Sequence, residues 1–285
     1  MSEDLNAAPV AVITVAASGL GLALAKSCLK LNQRVVLADI DANALNHAAS
    51  SLEDEAFADI IAIQCDVSSG ASVKSLAAQT IDSFGRVDKL FNNAGVSGQL
   101  APVWEQSAQD ISDVLSVNLY GVIHGTKAFL PIMFKQPHRA HIINVASLYG
   151  LCSGSNVSPY AMSKSAIVAF SESLYFDLAN SGKSVDVSVV CPSFANTQLF
   201  NNAKDENSLQ GIMKSLLSRA RPADDVADEI MKQLIEKQFY ILPDKEVKDY
   251  VEQRSLAIIN QTAPHHHSVE KVMSALFKRN LANQG

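Results

Sequence analysis

The sequence is short of most features that mark a specialised class of protein. It has four cysteines, Cys28, Cys65, Cys152 and Cys191, far apart and without a CxxC pair. That excludes a disulfide framework and a cysteine zinc site, and the four are expected to be reduced core thiols in a cytoplasmic protein. Charge is sparse at 18%, and its balance is −6. A basic surface for nucleic acid or for an anionic membrane is therefore not expected. The stretch from Leu5 to Ala25 is apolar but broken by Asn6, Pro9, Thr14, Ser18, Gly19 and Gly21, and the first basic residue is Lys26. Neither a membrane span nor a signal peptide is expected from it. With only 13 Gly and 9 Pro in 285 residues, and 48% hydrophobic residues, collagen-like and disordered chains are excluded too.

What is present is alternation. Short apolar runs at Val10–Thr14, Arg34–Asp39, Ile60–Asp66, Lys89–Asn92, His141–Ala146, Val185–Cys191 and Phe239–Leu242 predict strands. Several lack any in–out alternation, as strands covered on both faces do. Helical periodicity falls between them, near Gly19–Leu31, Ala42–Leu52, Ser72–Phe84, Ala108–Phe134 and Tyr160–Asn180. This pattern predicts an α/β fold, a doubly wound parallel sheet of about seven strands with helices on both faces. No repeat or low-complexity linker divides the chain, so residues 1–285 are read as one domain. Its core is about 9–243, followed by a helical tail of about 244–285. In the tail, Val247, Tyr250, Val251 and Ile258 share one face, as do Val269, Val272, Met273, Leu276 and Phe277. His265, His266 and His267 are expected in a plain loop between the two, without a metal.

The first predicted strand runs into Thr14-Val15-Ala16-Ala17-Ser18-Gly19-Leu20-Gly21, with a helix directly after it. Glycines at such a turn let backbone amides and a helix N-terminus approach a pyrophosphate, although they also serve tight packing. The second strand ends at Asp39, eighteen residues past Gly21. An acid there can bind the ribose hydroxyls of a dinucleotide. Further along, Tyr160 and Lys164 are four apart after Pro159 and so share a helix face. A lysine cation beside a tyrosine hydroxyl favours the phenolate.

With these residues in view, the sequence resembles the short-chain dehydrogenase/reductase family over roughly 9–243. Gly19 and Gly21 match the last two glycines of its TGxxxGxG turn, and Asp66 its adenine-contacting acid. Asn92-Asn93-Ala94-Gly95 is its NNAG signature, and Asn118 matches the asparagine that holds a relay water. Ser147, thirteen residues before Tyr160, matches the catalytic serine; Pro192 and Thr197 match the pair that contacts the nicotinamide carboxamide. The resemblance implies a Rossmann-like fold and a catalytic set of Asn118, Ser147, Tyr160 and Lys164. It implies a cofactor site built from Thr14, Ser18, Gly19, Leu20, Gly21, Asp39, Ile40, Asp66, Val67, Asn93, Ala94, Gly95, Tyr160, Lys164, Pro192, Ser193 and Thr197. The expected cofactor is NAD, with NADP disfavoured by Asp39.

The expected activity is interconversion of a secondary alcohol and a ketone. A non-catalytic dinucleotide sensor, or a dehydratase or epimerase on the same site, is the alternative. Ser147, Leu148, Tyr149, Phe194, Leu199 and Phe200 are expected to line a substrate pocket for a bulky apolar or aromatic small molecule. The helix at Tyr160–Asn180 carries apolar residues on more than one face, which predicts a homodimer or homotetramer. Two positions depart from the family pattern: Val15 replaces the first turn glycine, and Ser193 the glycine after Pro192. Val15 is expected to bring strain if its φ is positive and to crowd the cofactor.

Overall fold

A computed structural model describes residues 8–53, 59–196 and 208–284. Seven strands form one parallel sheet: β1 (Val10–Thr14), β2 (Arg34–Asp39), β3 (Ile60–Gln64), β4 (Lys89–Asn92), β5 (Ala140–Val145), β6 (Val185–Val190) and β7 (Tyr240–Ile241). Their order is β3-β2-β1-β4-β5-β6-β7. All pairs are parallel, with Val12 beside Val36 on one side and Leu90 on the other. Every residue of β1 is buried, which is why its run lacks alternation.

The connecting helices are α1 (Gly19–Lys30), α2 (Ala42–Glu53), α3 (Gly70–Phe84), α4 (Ala108–Leu115), α5 (Gly121–Met133), α6 (Ser158–Ser181), α7 (Leu209–Leu217) and α8 (Ala223–Ile235). One apolar layer joins Leu24 of α1, Leu45 of α2 and Val226 and Ile230 of α8 to one sheet face. The other joins Val73 and Leu76 of α3, Phe129 and Met133 of α5 and Leu174 and Leu178 of α6. Each such side chain contributes about 1.5–3 kcal/mol when fully buried. Local signals set the ends: Ser69 caps α3 through the Ser72 amide, and Ser107 and Asp110 form a capping box on α4.

Two sequence expectations change. The single helix expected over Ala108–Phe134 is interrupted by a wide π turn at Ser116–Tyr120. That extra residue turns Asn118 fully inward. The tail forms α9 (Glu246–Ile259) and α10 (Ser268–Gln284), but His267 is not part of a plain loop. It is buried, its Nδ1 accepts from the Glu270 amide at 3.2 Å, and its Nε2 donates to Ser153 O at 2.9 Å. It therefore caps α10 and ties that helix to the segment before α6. All four cysteines are free and buried, and burial pushes Cys28, Cys152 and Cys191 up to about 12. Among the described residues no helix is long and apolar enough to cross a membrane.

Candidate active site

The strand order reverses between β1 and its neighbours β2 and β4, and their C-terminal ends open a crevice there. Thr14 closes β1 by joining it to β4. Its Oγ1 donates to Phe91 O at 3.3 Å and accepts from the Asn93 and Ala94 amides at 2.9 and 3.0 Å. Asn93 Nδ2 donates back to Thr14 O at 2.9 Å. From β2, Asp39 holds the turn with its carboxylate, accepting from Ala17 N and Asp41 N, each at 3.2 Å. Asp66, just past β3, accepts from Ser68 N and Ser68 Oγ at 2.9 and 2.7 Å.

This turn fits a dinucleotide in two respects. A Cβ on Gly21 would lie 2.0 Å from Val15 O, so only glycine allows the helix to start this close to β1. Ser18 leaves the N-terminus of α1 without a side-chain cap, so first-turn amides are open to an anion. Val15 works against that fit. Its φ is +51, the left-handed region where a β-branched residue is a true outlier costing about 1–3 kcal/mol. The turn thus keeps a path suited to glycine while carrying a valine. Ser193 is accommodated differently: its φ is not positive, and its amide donates to Asp244 Oδ2 at 2.8 Å.

Because Val15 is strained within the protein itself, relief of that strain belongs to folding stability rather than to binding. Val15→Gly is expected to raise stability by up to about 2 kcal/mol, strain relief less roughly 1 kcal/mol of glycine entropy. It should also tighten NAD binding, because Val15 lines the cleft. Thermal melts and calorimetric titration check both; a lower Tm with unchanged Kd would show that the turn holds valine at no cost.

The other end of the crevice is built on β5 and α6. Ser147 follows β5 in extended backbone, and its Oγ accepts from the Tyr149 amide at 3.3 Å. The Ser147 and Tyr160 side chains line the same cleft, and the Ser147 hydroxyl favours the Tyr160 phenolate. Pro159 stands in the first turn of α6, placing Tyr160 early in the helix and Lys164 one turn on. Lys164 is 3% exposed; its Nζ donates to Val145 O at 2.9 Å and lies 5.7 Å from the Tyr160 ring centroid. A Cβ on Gly95 would come within 3.2 Å of that Nζ, so the NNAG glycine makes room for the cation. Asn118 is held on all sides: Oδ1 accepts from Val96 N at 2.8 Å, and Nδ2 donates to Val96 O and Ser163 Oγ, both at 3.0 Å.

The proton affinities show what burial adds to this arrangement. Burial raises the Tyr160 hydroxyl above its usual value, against the Ser147 hydroxyl, which lowers it. Burial also pulls Lys164 down to about 8. The protein's own groups therefore do not make Tyr160 acidic by themselves, since Lys164 points its ammonium at a backbone carbonyl rather than at the phenol oxygen.

These two ends share one cleft of about 270 Å³. Ser18, Gly19, Leu20, Gly21, Asn93, Gly95, Pro192 and Ser193 line it with Ser147, Leu148, Tyr149, Tyr160, Lys164 and Phe194. Thr14 and Ala94 are buried beside it, while Asp39, Ile40, Asp66 and Val67 stand outside it at the ends of β2 and β3, with Ile40 largely exposed. Thr197, Leu199 and Phe200 lie outside the described residues. Val157 and Met273 also line the cleft. The sequence reading assigned neither to the site: the periodicity around Met273 reveals an apolar face but not what it covers.

A family model described as short chain dehydrogenase matches residues 9–208. The chain is 30% identical to a CLA biosynthesis dehydrogenase/reductase from Lactiplantibacillus plantarum over 281 residues, 93% of this chain and 98% of the relative. It is 32% identical to a 1-deoxy-11-beta-hydroxypentalenate dehydrogenase from Streptomyces exfoliatus over 239 residues, 84% of each. A crystal structure of a short chain dehydrogenase/reductase from Burkholderia phymatum in complex with NAD superimposes with a TM-score of 0.83 and 37% identity. It covers 90% of this chain and 96% of that one.

Proposed function

This chain belongs to the short chain dehydrogenase family of oxidoreductases, and from its site we propose that it interconverts a secondary alcohol and a ketone with NAD. The observation that carries this reading is the Ser147–Tyr160 hydroxyl pair above the buried Lys164, in the same cleft as the glycine turn. When bound, the nicotinamide accepts or delivers the hydride at the substrate carbon, and its oxidised form adds a positive charge that favours the Tyr160 phenolate. Ser147 Oγ holds the substrate oxygen. Tyr160 takes the proton from that oxygen in oxidation and returns it in reduction. Lys164 supplies a cation beneath the ring that stabilises the phenolate. Asn118, fixed by Val96 and Ser163, keeps the wall behind Lys164 in place.

Leu100, Leu148, Phe194, Met213 and Leu217 give the cleft an apolar wall around these hydroxyls. This supports a bulky apolar or aromatic substrate over a sugar. The dehydrogenase relatives, one named for a hydroxypentalenate, support oxidation of a hydroxyl group. A sensor that only bound the dinucleotide would have no need of a paired Ser147 and Tyr160. NADH formation with a panel of secondary alcohols, set beside calorimetric NAD binding, tests the reading. Binding without turnover would favour the sensor, and water loss or inversion without net NADH would favour a dehydratase or epimerase.

We also propose a homo-oligomer in the cytoplasm. Tyr175 and Phe176 on α6 are 49% and 64% exposed, and Tyr240 beside them 46%. The tail packs Val247 and Met273 into the cluster of Leu148, Tyr149 and Met213 instead, so it leaves this aromatic face for another subunit. Light scattering at micromolar concentration should give a mass at least twice 30.6 kDa; a monomer would refute the assembly.

A further inference from the structure

The matched family region ends at residue 208, yet a residue of α10, far beyond it, reaches the reaction cleft. Met273 is 2% exposed and belongs to the apolar cluster of Leu148, Tyr149, Met213 and Leu217. It lines the cleft and packs in one cluster with Leu148 and Met213, whereas Ala16 and Leu20 of the turn that begins α1 belong to a different apolar cluster.

The helix that carries it is fastened to one particular segment. Glu270 Oε2 accepts from Ser155 N at 2.7 Å, and its Oε1 accepts from Ser274 Oγ at 2.6 Å. His267 Nε2 donates to Ser153 O at 2.9 Å. Segment 153–155 leads directly into α6, which bears Tyr160 and Lys164. Burial works to raise the Glu270 carboxyl, but the Ser274 and Ser155 bonds outweigh it and hold the group below its usual range. A charged acceptor bound to a backbone amide makes a strong tether.

We propose that α10 is the specificity wall of the substrate site, tethered by Glu270 and His267 to segment 153–155, with Met273 setting the size of the apolar group admitted. This rests on the alcohol–ketone reading above. The reacting oxygen sits at Ser147 and Tyr160, so the larger substituent of the substrate extends over Leu148 toward Met273. Methionine is unbranched and flexible, so the wall yields to groups of varied shape but has a limit of length. The substrate class is a ketone or secondary alcohol with one extended apolar arm.

The test uses the full chain and the 2-alkanones from butanone to dodecanone, measured as kcat/KM with NADH and as Kd by calorimetry. Met273→Ala should move the best chain length upward and Met273→Phe downward. The long-to-short ratio should change at least tenfold in each direction, as a methylene-sized change in an apolar pocket does. Glu270→Ala should flatten the length dependence, while Glu270→Gln, which keeps an oxygen for the Ser155 amide, should restore it; a merely structural role would alter Tm alone. An unmoved optimum in a Met273→Ala protein that folds and binds NAD overturns the proposal, as does failure of the wild type to bind any member of the series. Wild-type binding without turnover would count against the redox reading, and the Kd series would still judge the wall.

Discussion

Tyr160→Phe should fold, bind NAD with nearly unchanged Kd, and lose turnover by about 10²–10⁴-fold, the usual contribution of a positioned proton donor. The substitution removes one oxygen. The ring still packs edge-on against Tyr149, with centroids 6.1 Å apart, an arrangement worth about 0.5–1.5 kcal/mol beyond the buried area. Ser147 keeps its bond from the Tyr149 amide, so its hydroxyl stays in place. On the proposed mechanism, what is lost is the proton that Tyr160 exchanges with the substrate oxygen. A thermal melt serves as the control that the variant folds. Steady-state kinetics with a secondary alcohol, alongside calorimetric NAD titration, check the outcome. Near-full kcat in the variant would remove Tyr160 from the proton path.

The second large effect is cofactor choice. Asp39 should make kcat/KM for NAD exceed that for NADP by up to roughly a thousandfold. A 2′-phosphate about 4 Å from the carboxylate meets about 4 kcal/mol of repulsion per unit charge at an effective dielectric of 20, and 1.4 kcal/mol is tenfold. Asp39 cannot easily swing aside, since it is 7% exposed and accepts from the Ala17 and Asp41 amides. No Lys or Arg follows within ten residues to offset it, and no ion pair involves it among the described residues. Asp39→Ser should compress the ratio toward unity, at some cost in stability because the Ala17 amide loses its acceptor. Equal kcat/KM for both cofactors in the wild type would contradict the assignment.

The sheet and the two ends of the site were legible along the chain because their signals are local. A strand buried on both faces shows as an unbroken run, as in Val10–Thr14. A glycine turn shows as Gly19 and Gly21, and a shared helix face as the four-residue step from Tyr160 to Lys164. The unbroken run that ends at Asp39 likewise placed that residue at the end of β2. Those features depend on residues near each other in sequence, so spacing alone determined them.

Folding decided what depends on partners far away in the chain. The positive φ of Val15 arises because the Gly21 helix start presses on its carbonyl and Asn93 grips the turn from β4. No window of sequence contains both Thr14 and Asn93. The π turn at Ser116–Tyr120 interrupts a continuous helical pattern, and Asn118 inside it is bound to Val96 and Ser163. Burial, which only the packed molecule sets, raises the Tyr160 hydroxyl and so opposes the charges expected to lower it. The tail shows the limit most plainly. Its periodicity announced an apolar face on α10, but an apolar face carries no address. Only the folded chain brings Met273 to Leu148, and Glu270 and His267 to Ser155 and Ser153, across more than one hundred residues.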